Sequence, residues 1–275
     1  MIPRDYITEW RSEAPWVQDA QVEQDLVISR ALVEIFSHPH LKEALAFRGG
    51  TALYKLFLKP AARYSEDIDL VQVTAGPIGE TMDALREVLD PWLGEPRRKQ
   101  GEGRVTLTYR FESEDRPPLP LRLKVEINSR EHFAHFGFIE VPFSTKSRWF
   151  EGEASIKTYS LNELLGTKIR ALYQRRKGRD LFDLAIALQQ PDAEPAQMVE
   201  AFQAYMASDG GQISRAQFEQ NLITKLSNAA FSTDIGPLLS QQADEWNIAA
   251  GAELVMREVI ALLPGEPWQG VEQDD

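Results

Sequence analysis

The spacing of hydrophobic positions changes along the chain and predicts a middle part with strands and a C-terminal part built from helices. Apolar residues recur at helical intervals over 18–46, where His-Pro-His at 38–40 breaks the run, so this segment predicts a helix, a turn and a short helix. Alternation of apolar and polar residues is typical of half-buried strands. It predicts four strands, at 67–73, 104–113, 121–129 and 139–144.

Helical signals dominate after residue 155. Ser160 and Glu163 form a capping box, in which each side chain can bond the other's free backbone amide at a helix start. In all, helices after the first pair are predicted at about 51–58, 77–93, 161–176, 179–188, 195–208, 214–228 and 240–262. The expected fold class is α+β, with a small mixed sheet and an N-terminal helical arm in a domain 1–155 and a C-terminal helical domain 156–275.

Composition removes several kinds of chemistry. The chain has no cysteine, which excludes disulfides, zinc-thiolate sites and a thiol nucleophile. Its first residues carry charges where a secretion signal needs an apolar run, and no stretch of about 18 uncharged apolar residues occurs. We therefore expect a soluble, cytoplasmic protein without a membrane partner.

The net charge of -12 argues against a surface that coats nucleic acid, yet the charges are unevenly distributed. Residues 180–275 hold only three basic residues, whereas 97–130 and 168–179 together hold half of all Lys and Arg. These two segments can form a local basic groove on an acidic body, or they can be ordinary solvated faces. Patterning alone leaves both alternatives open.

Acidic residues interrupt an apolar segment just after a Gly-Gly turn. Asp67 and Asp69 are two apart in a predicted strand, so both carboxylates project from one face, about 7 Å apart along the chain. Such a pair suits Mg²⁺, which prefers oxygen ligands. Glu126, inside a later predicted strand, is the candidate third metal ligand. The alternative is that Arg48 or Arg63 simply neutralises the two aspartates.

Two further features suit a phosphate ligand. Gly49 and Gly50 allow backbone N–H groups to approach phosphate oxygens, and the helix that starts near Thr51 directs its positive end towards them. Ser65 can add a hydroxyl. Lys168 lies within the apolar stripe of the predicted helix 161–176, where a lysine either extends its ammonium to solvent or reaches an anion.

The motifs "RGGTAL", "RYSEDIDLV", "LKVEI" and "KIRALYQRRKGRDLFDL", in this order over about 47–190, resemble the AbiEii/AbiGii-type nucleotidyltransferase toxins. That resemblance implies a polymerase-β-like nucleotidyltransferase core. It also implies that Gly49, Gly50 and Ser65 hold the phosphates of an NTP and that Asp67 and Asp69 hold Mg²⁺. By the same similarity, Lys168 contacts the triphosphate and Asp183 serves the active site from the helical domain.

The resemblance implies a toxin of a type IV toxin-antitoxin or abortive-infection system. Some members of the family add nucleotides to the 3′ end of tRNA and so block translation, and their usual partner is a DNA-binding winged-helix antitoxin encoded nearby. Glu126 departs from the aspartate that many members of the wider superfamily carry, so its role as metal ligand or base is open.

Two other functions are compatible with the sequence. The acceptor can be a small molecule or a protein hydroxyl instead of RNA, and the acidic helical part fits that version. A non-catalytic nucleotide-binding regulatory module is the other alternative. Asp67, Asp69 and Lys168 argue against it, because a module that only binds has no need of two metal-binding acids.

Overall fold

The computed structural model describes residues 2–240 and 246–270 of the 275-residue chain, and they form two units. The first contains residues 2–159 with 239 and 240, and the second contains 160–238 and 246–270. No helix in the described part is long and apolar enough to cross a membrane.

A seven-stranded mixed sheet forms the centre of the first unit. Its strands are β1 (Leu45–Arg48), β2 (Asp67–Gln72), β3 (Arg97–Gly101), β4 (Arg104–Glu112), β5 (Pro120–Asn128), β6 (Phe138–Lys146) and β7 (Glu151–Tyr159). Their spatial order is β3-β4-β5-β2-β1-β7-β6. The pairs β2–β5 and β1–β7 are parallel, and the other neighbours are antiparallel.

Five helices accompany this sheet among the described residues. They are α1 (Arg4–Trp10), α2 (Asp19–Ser37), α3 (Pro39–Ala44), α4 (Gly49–Ala52) and α5 (Gly79–Leu93), and a π-helical turn, Leu53–Phe57, continues α4. Helix α2 packs against β5, β6 and β7, and α5 packs against β4. On β5 the side chains of Leu123, Val125 and Ile127 are buried, whereas the intervening residues are half-buried or exposed. The opposite sheet face is thereby left for polar side chains.

The second unit is helical in its described part. Its helices are α6 (Leu161–Gln174), α7 (Gly178–Ala187), α8 (Pro195–Ser208), α9 (Arg215–Leu226), α10 (Ala229–Thr233) and α11 (Ile248–Glu258), with short 3₁₀ turns at Gly236–Leu238 and Ile260–Leu262. Helices α6 and α8 pack closely because Gly166 has no Cβ; a Cβ there would lie 2.6 Å from that of Ala201.

The α+β class and the four predicted strands are confirmed, as β2, β4, β5 and β6. The sequence pattern did not predict strands β1, β3 and β7. Strand β3 lacks alternation because all its residues are exposed at the sheet edge, and β1 has only four residues. Of the helix predicted at 240–262, residues 241–245 lie outside the described residues, and α11 covers part of the remainder.

Candidate active site

Three carboxylates and one lysine share the polar face of the central strands. The parallel register sets Asp69 beside Glu126 and Asp67 beside Lys124. Directly paired residues project from the same face, and residues two apart on a strand do so as well. The alternate residues of β2, Ile68 and Leu70, are buried on the other side.

Lys124 lies among these carboxylates. Its Nζ lies 2.9 Å from Oε2 of Glu126 and 3.6 Å from Oδ2 of Asp67. Burial alone would lower the pKa of Lys124, but the hydrogen bond to Glu126 and the charge of Asp67 outweigh burial and raise it. Sequence reasoning missed this residue. The available signal was its position two before Glu126 in an alternating strand, which places both on one face.

The three carboxyl groups differ in their electrostatics. Burial raises the pKa of Asp69, and the neighbouring charges of Asp67 and Glu126 raise it further. Burial also raises the pKa of Asp67, partly opposed by Lys124. For Glu126, burial is outweighed by the ion pairs with Lys124 and Arg104, so its pKa is lowered. The negative charges of Asp67 and Asp69 are therefore only partly compensated by nearby cations. The charge of Glu126 is neutralised by its ion-pair partners.

The two glycines before these strands are required by close contacts. Gly49 has a φ of 82°, the left-handed region that favours glycine, and a Cβ on it would collide with Oδ2 of Asp69. A Cβ on Gly50 would lie 2.6 Å from the guanidinium of Arg63 and 3.3 Å from the hydroxyl of Ser65. Because neither glycine has a side chain, the side chains of Asp69 and Arg63 can lie against the backbone here.

Thr51 connects the start of α4 to the acidic strand. Its hydroxyl donates to the backbone carbonyl of Asp67 at 2.5 Å and lies 2.8 Å from the hydroxyl of Ser65. The predicted phosphate-binding residues and the acidic strand are therefore joined by direct hydrogen bonds. Gly49, Gly50, Thr51, Ser65, Asp67, Asp69 and Glu126 all belong to the first unit.

The two arginines proposed as structural partners of the aspartates have other contacts. Nη1 of Arg48 pairs with Oε2 of Glu131 at 2.6 Å, although the charge of Arg48 still lowers the pKa of Asp69. Arg63 donates to the backbone carbonyl of Tyr64 and lies over the ring of Tyr54.

The carboxylate oxygens on this face are partly suited to bind a hard cation such as Mg²⁺. Asp67 and Asp69 offer carboxylate oxygens on one face, and burial with mutual repulsion raises the pKa of Asp69, which a cation would relieve. Within residues 2–240 and 246–270, however, no group of three His, Cys, Asp or Glu side chains is arranged to hold a metal ion. The ammonium of Lys124 lies between Asp67 and Glu126. The predicted role of Glu126 as third ligand stays a prediction.

Lys168 and Asp183 lie in a buried ionic network of the second unit. Nζ of Lys168 is 2.8 Å from Oδ2 of Asp183 and 3.2 Å from Oδ1 of Asp180, and both aspartates are fully buried. Arg175 adds a bidentate pair to Asp180. Burial would raise the pKa of Asp180, but Lys168 and Arg175 outweigh it and lower the pKa. The predicted contact of Lys168 with a triphosphate stays a prediction, as does the active-site role of Asp183.

Two of three comparisons relate this chain to known proteins. A family model described as "Nucleotidyl transferase AbiEii toxin, Type IV TA system" matches residues 30–253. Among solved structures, the fold is similar to MenT4, a nucleotidyltransferase toxin from Mycobacterium tuberculosis H37Rv, with a TM-score of 0.61, 16% identity and coverage of 96% of this chain and 91% of that one. It is also similar to JHP933 from Helicobacter pylori, with a TM-score of 0.55, 16% identity and coverage of 89% and 93%. Comparison with curated proteins finds no match.

Because the family model spans most of the sequence, the chain belongs to the AbiEii family of nucleotidyltransferase toxins. It is a nucleotidyltransferase enzyme, and the family implies an NTP substrate and an antitoxin partner. The solved structures support the fold. The polar face of β2 and β5 is its candidate active site.

Gly49→Ala should lower kcat/KM for nucleotidyl transfer about 100-fold, because the new methyl group displaces the carboxylate of Asp69 and a shift of about 1 Å at a catalytic group has that effect. Gly137→Ala is the matched control, since Gly137 has the same φ of 82° but no atom near its missing Cβ. Backbone strain should cost both variants about 1–2 kcal/mol of stability, and Gly49→Ala should lose more because its methyl group also collides with Asp69. Equal activities in the two variants would contradict the contact with Asp69.

Lys168→Met should destabilise the chain by about 3–5 kcal/mol in thermal or urea unfolding, because it removes the cation that two buried carboxylates share. Lys177→Met is the control, since Lys177 is half-exposed and its ion pair with Asp234 should contribute less than about 1 kcal/mol. If Lys168→Met unfolds like the parent protein but loses NTP affinity by calorimetry, the lysine serves the ligand instead of the buried network.

Proposed function

We propose that the enzyme transfers a nucleoside monophosphate from an NTP to a hydroxyl at the 3′ end of RNA, with tRNA as the favoured acceptor, and that it requires Mg²⁺. The observation that carries the proposal is the acidic pair Asp67 and Asp69 on the polar sheet face, directly bonded to the Gly49–Thr51 segment through Thr51. In a family of nucleotidyltransferase toxins, this arrangement suits a triphosphate bound with a divalent cation.

Different residues of the chain would bind the cation and the phosphates of the donor nucleotide. Asp67 and Asp69 would hold the cation, which supplies neutralisation of the triphosphate charge and a lower pKa for the attacking hydroxyl. Ser65 and the backbone of Gly50 would bind phosphate oxygens. Lys124 would orient Glu126 and limit the repulsion between the carboxylates. Lys168 and Asp183 remain candidates for contributions from the second unit.

A basic extension of the same sheet face supports a polyanionic acceptor. The register of β3, β4 and β5 places six cationic side chains on the face that carries Asp67 and Asp69. They are Arg97, Lys99, Arg104, Arg110, Arg122 and Lys124. The face therefore changes from acidic at the central strand β2 to basic at the edge strand β3. A phosphate backbone laid across this edge meets cations before its terminal hydroxyl reaches the acids.

This charge pattern favours RNA over the other acceptors. A small cationic acceptor such as an aminoglycoside would be repelled by the basic edge. As a type IV toxin, the enzyme would inhibit translation through this modification or abort phage infection. We also propose a winged-helix, DNA-binding antitoxin encoded nearby as its partner and the cytoplasm as its location.

The direct test is incubation of the purified chain with each α-³²P-labelled NTP, Mg²⁺ and total small RNA. Label should move onto RNA of tRNA size with one preferred NTP. Asp67→Asn and Asp69→Asn should each lower transfer at least about 1,000-fold without lowering the melting temperature, since each removes a cation ligand and relieves repulsion. Label found only on protein or on small molecules would overturn the RNA acceptor, and retained turnover in either variant would overturn the aspartate assignment.

A second arm of the assay tests the acceptor side separately. The double variant Arg97→Gln, Lys99→Gln should raise the KM for RNA while the KM for NTP stays the same, because both side chains lie far along the face from β2. Its RNA affinity should depend less steeply on salt, by about 1.4 in log-log slope if each cation meets one phosphate of a single strand. An unchanged slope would show that the edge is an ordinary solvated surface.

A further inference from the structure

A polar pocket of about 310 Å³ lies between α6 and α9, wholly within the second unit. Helix α9 supplies five residues at the spacing i, i+3, i+4, i+7, i+8, which defines one helix face. They are Gln217, Gln220, Asn221, Thr224 and Lys225. Tyr173 and Arg176 form the opposite wall. Gln217, Gln220 and Thr224 are exposed and Asn221 is half-buried, so this face of α9 presents amides and a hydroxyl to any ligand in the pocket.

Several of these polar groups have no partner among the described residues. The side-chain oxygen of Asn221 is buried without a hydrogen bond. The side-chain amide of Gln220, the hydroxyl of Tyr173 and the guanidinium of Arg176 make no hydrogen bond or ion pair in residues 2–240 and 246–270. A buried unpaired carbonyl costs about 1–3 kcal/mol.

The cations near the pocket differ in their availability. Nζ of Lys225 donates to the backbone carbonyls of Leu172 and Tyr173, at the last turn of α6. Arg175 is bound to Asp180, and Lys177 pairs with Asp234. Among the residues that the structure describes, Arg176 is the cation of the segment 175–177 that makes no ion pair. The pocket therefore offers the guanidinium of Arg176 beside a set of neutral donors and acceptors, while the ammonium of Lys225 is held by two backbone carbonyls.

We propose that this pocket binds one unstacked nucleotide of the single-stranded part of the RNA acceptor. Side-chain amides form paired hydrogen bonds with base edges, aromatic rings stack on bases, and an arginine binds phosphate. Asn221 and Gln220 meet the base edge, Tyr173 supplies the aromatic wall, and Arg176 meets the phosphate. A pocket for a bare anion would need more free cations, and one for an apolar ligand would lack the amides. The inference rests on RNA being the acceptor.

The test uses the full chain and a fluorescein-labelled 12-nucleotide single-stranded RNA, measured by fluorescence anisotropy at fixed salt. Asn221→Leu should weaken binding about tenfold. It should leave the melting temperature equal or higher, because it removes a buried oxygen that has no partner. Arg176→Gln should weaken binding and make the salt dependence shallower by about 0.7 in log-log slope.

Matched controls remove the same groups elsewhere on the second unit. Gln203→Leu removes an exposed amide on α8, and Arg257→Gln removes an exposed arginine on α11. Both should bind the RNA like the parent chain. Weakening by these controls equal to that of the pocket variants would overturn the proposal, because it would reflect general surface charge or polarity.

The remaining outcomes separate the pocket from the function. If the parent chain transfers label to RNA but Asn221→Leu and Arg176→Gln bind the 12-mer as tightly as the parent, the pocket assignment is wrong and the proposed function stands. If the parent neither labels nor binds RNA, the proposed function fails and the pocket assignment falls with it. Equal affinity for AMP, CMP, GMP or UMP and for the 12-mer, measured by calorimetry, would make this a small-molecule site and overturn the RNA assignment.

Discussion

The arrangement of the first unit depends on one electrostatic constraint, the crowding of Asp67, Asp69 and Glu126 on a sheet face whose reverse side is the apolar core. Ile68, Leu70 and Val125 fix the strands by burial, so the acids cannot turn away from one another without exposing the core. Lys124 offsets part of the repulsion, and the missing Cβ of Gly49 makes room for Asp69. The remaining lack of positive charge is what makes this face suited to a cation and a triphosphate.

Both units contain buried or half-buried carboxylates, but the negative charge of these groups is compensated to a different degree in each unit. In the second unit, Asp180 and Asp183 are fully buried and are met at close range by Lys168 and Arg175. In the first, burial and then the like charges of Asp67 and Glu126 raise the pKa of Asp69. Fully paired buried ions specify a structure, whereas incompletely compensated ones are typical of sites that bind or react. This contrast is the reason for centring the proposed chemistry on β2.

The sequence was sufficient for elements with a strong local pattern and insufficient for features set by strand pairing. Alternation identified β2 and β5, and the two-residue spacing correctly placed Asp67 and Asp69 on one face. Nothing local shows that β5 lies parallel to β2 in the register that brings Asp69 beside Glu126, because pairing is a tertiary property. For the same reason the basic segment 175–177 could not be divided into paired and unpaired cations. Lys124 was overlooked although its position two before Glu126 was a local signal for the shared face.

Calorimetric titration with a non-hydrolysable NTP analogue, with Mg²⁺ and with EDTA, tests the central claim that Asp67 and Asp69 bind the donor nucleotide through a divalent cation. The parent chain should bind the analogue at least about tenfold more tightly with Mg²⁺, and Asp69→Asn should lose that difference. Glu95→Gln, an exposed acid outside this face, should retain it. Equal affinity with Mg²⁺ and EDTA in the parent chain, or an unchanged Mg²⁺ dependence in Asp69→Asn, would contradict the account.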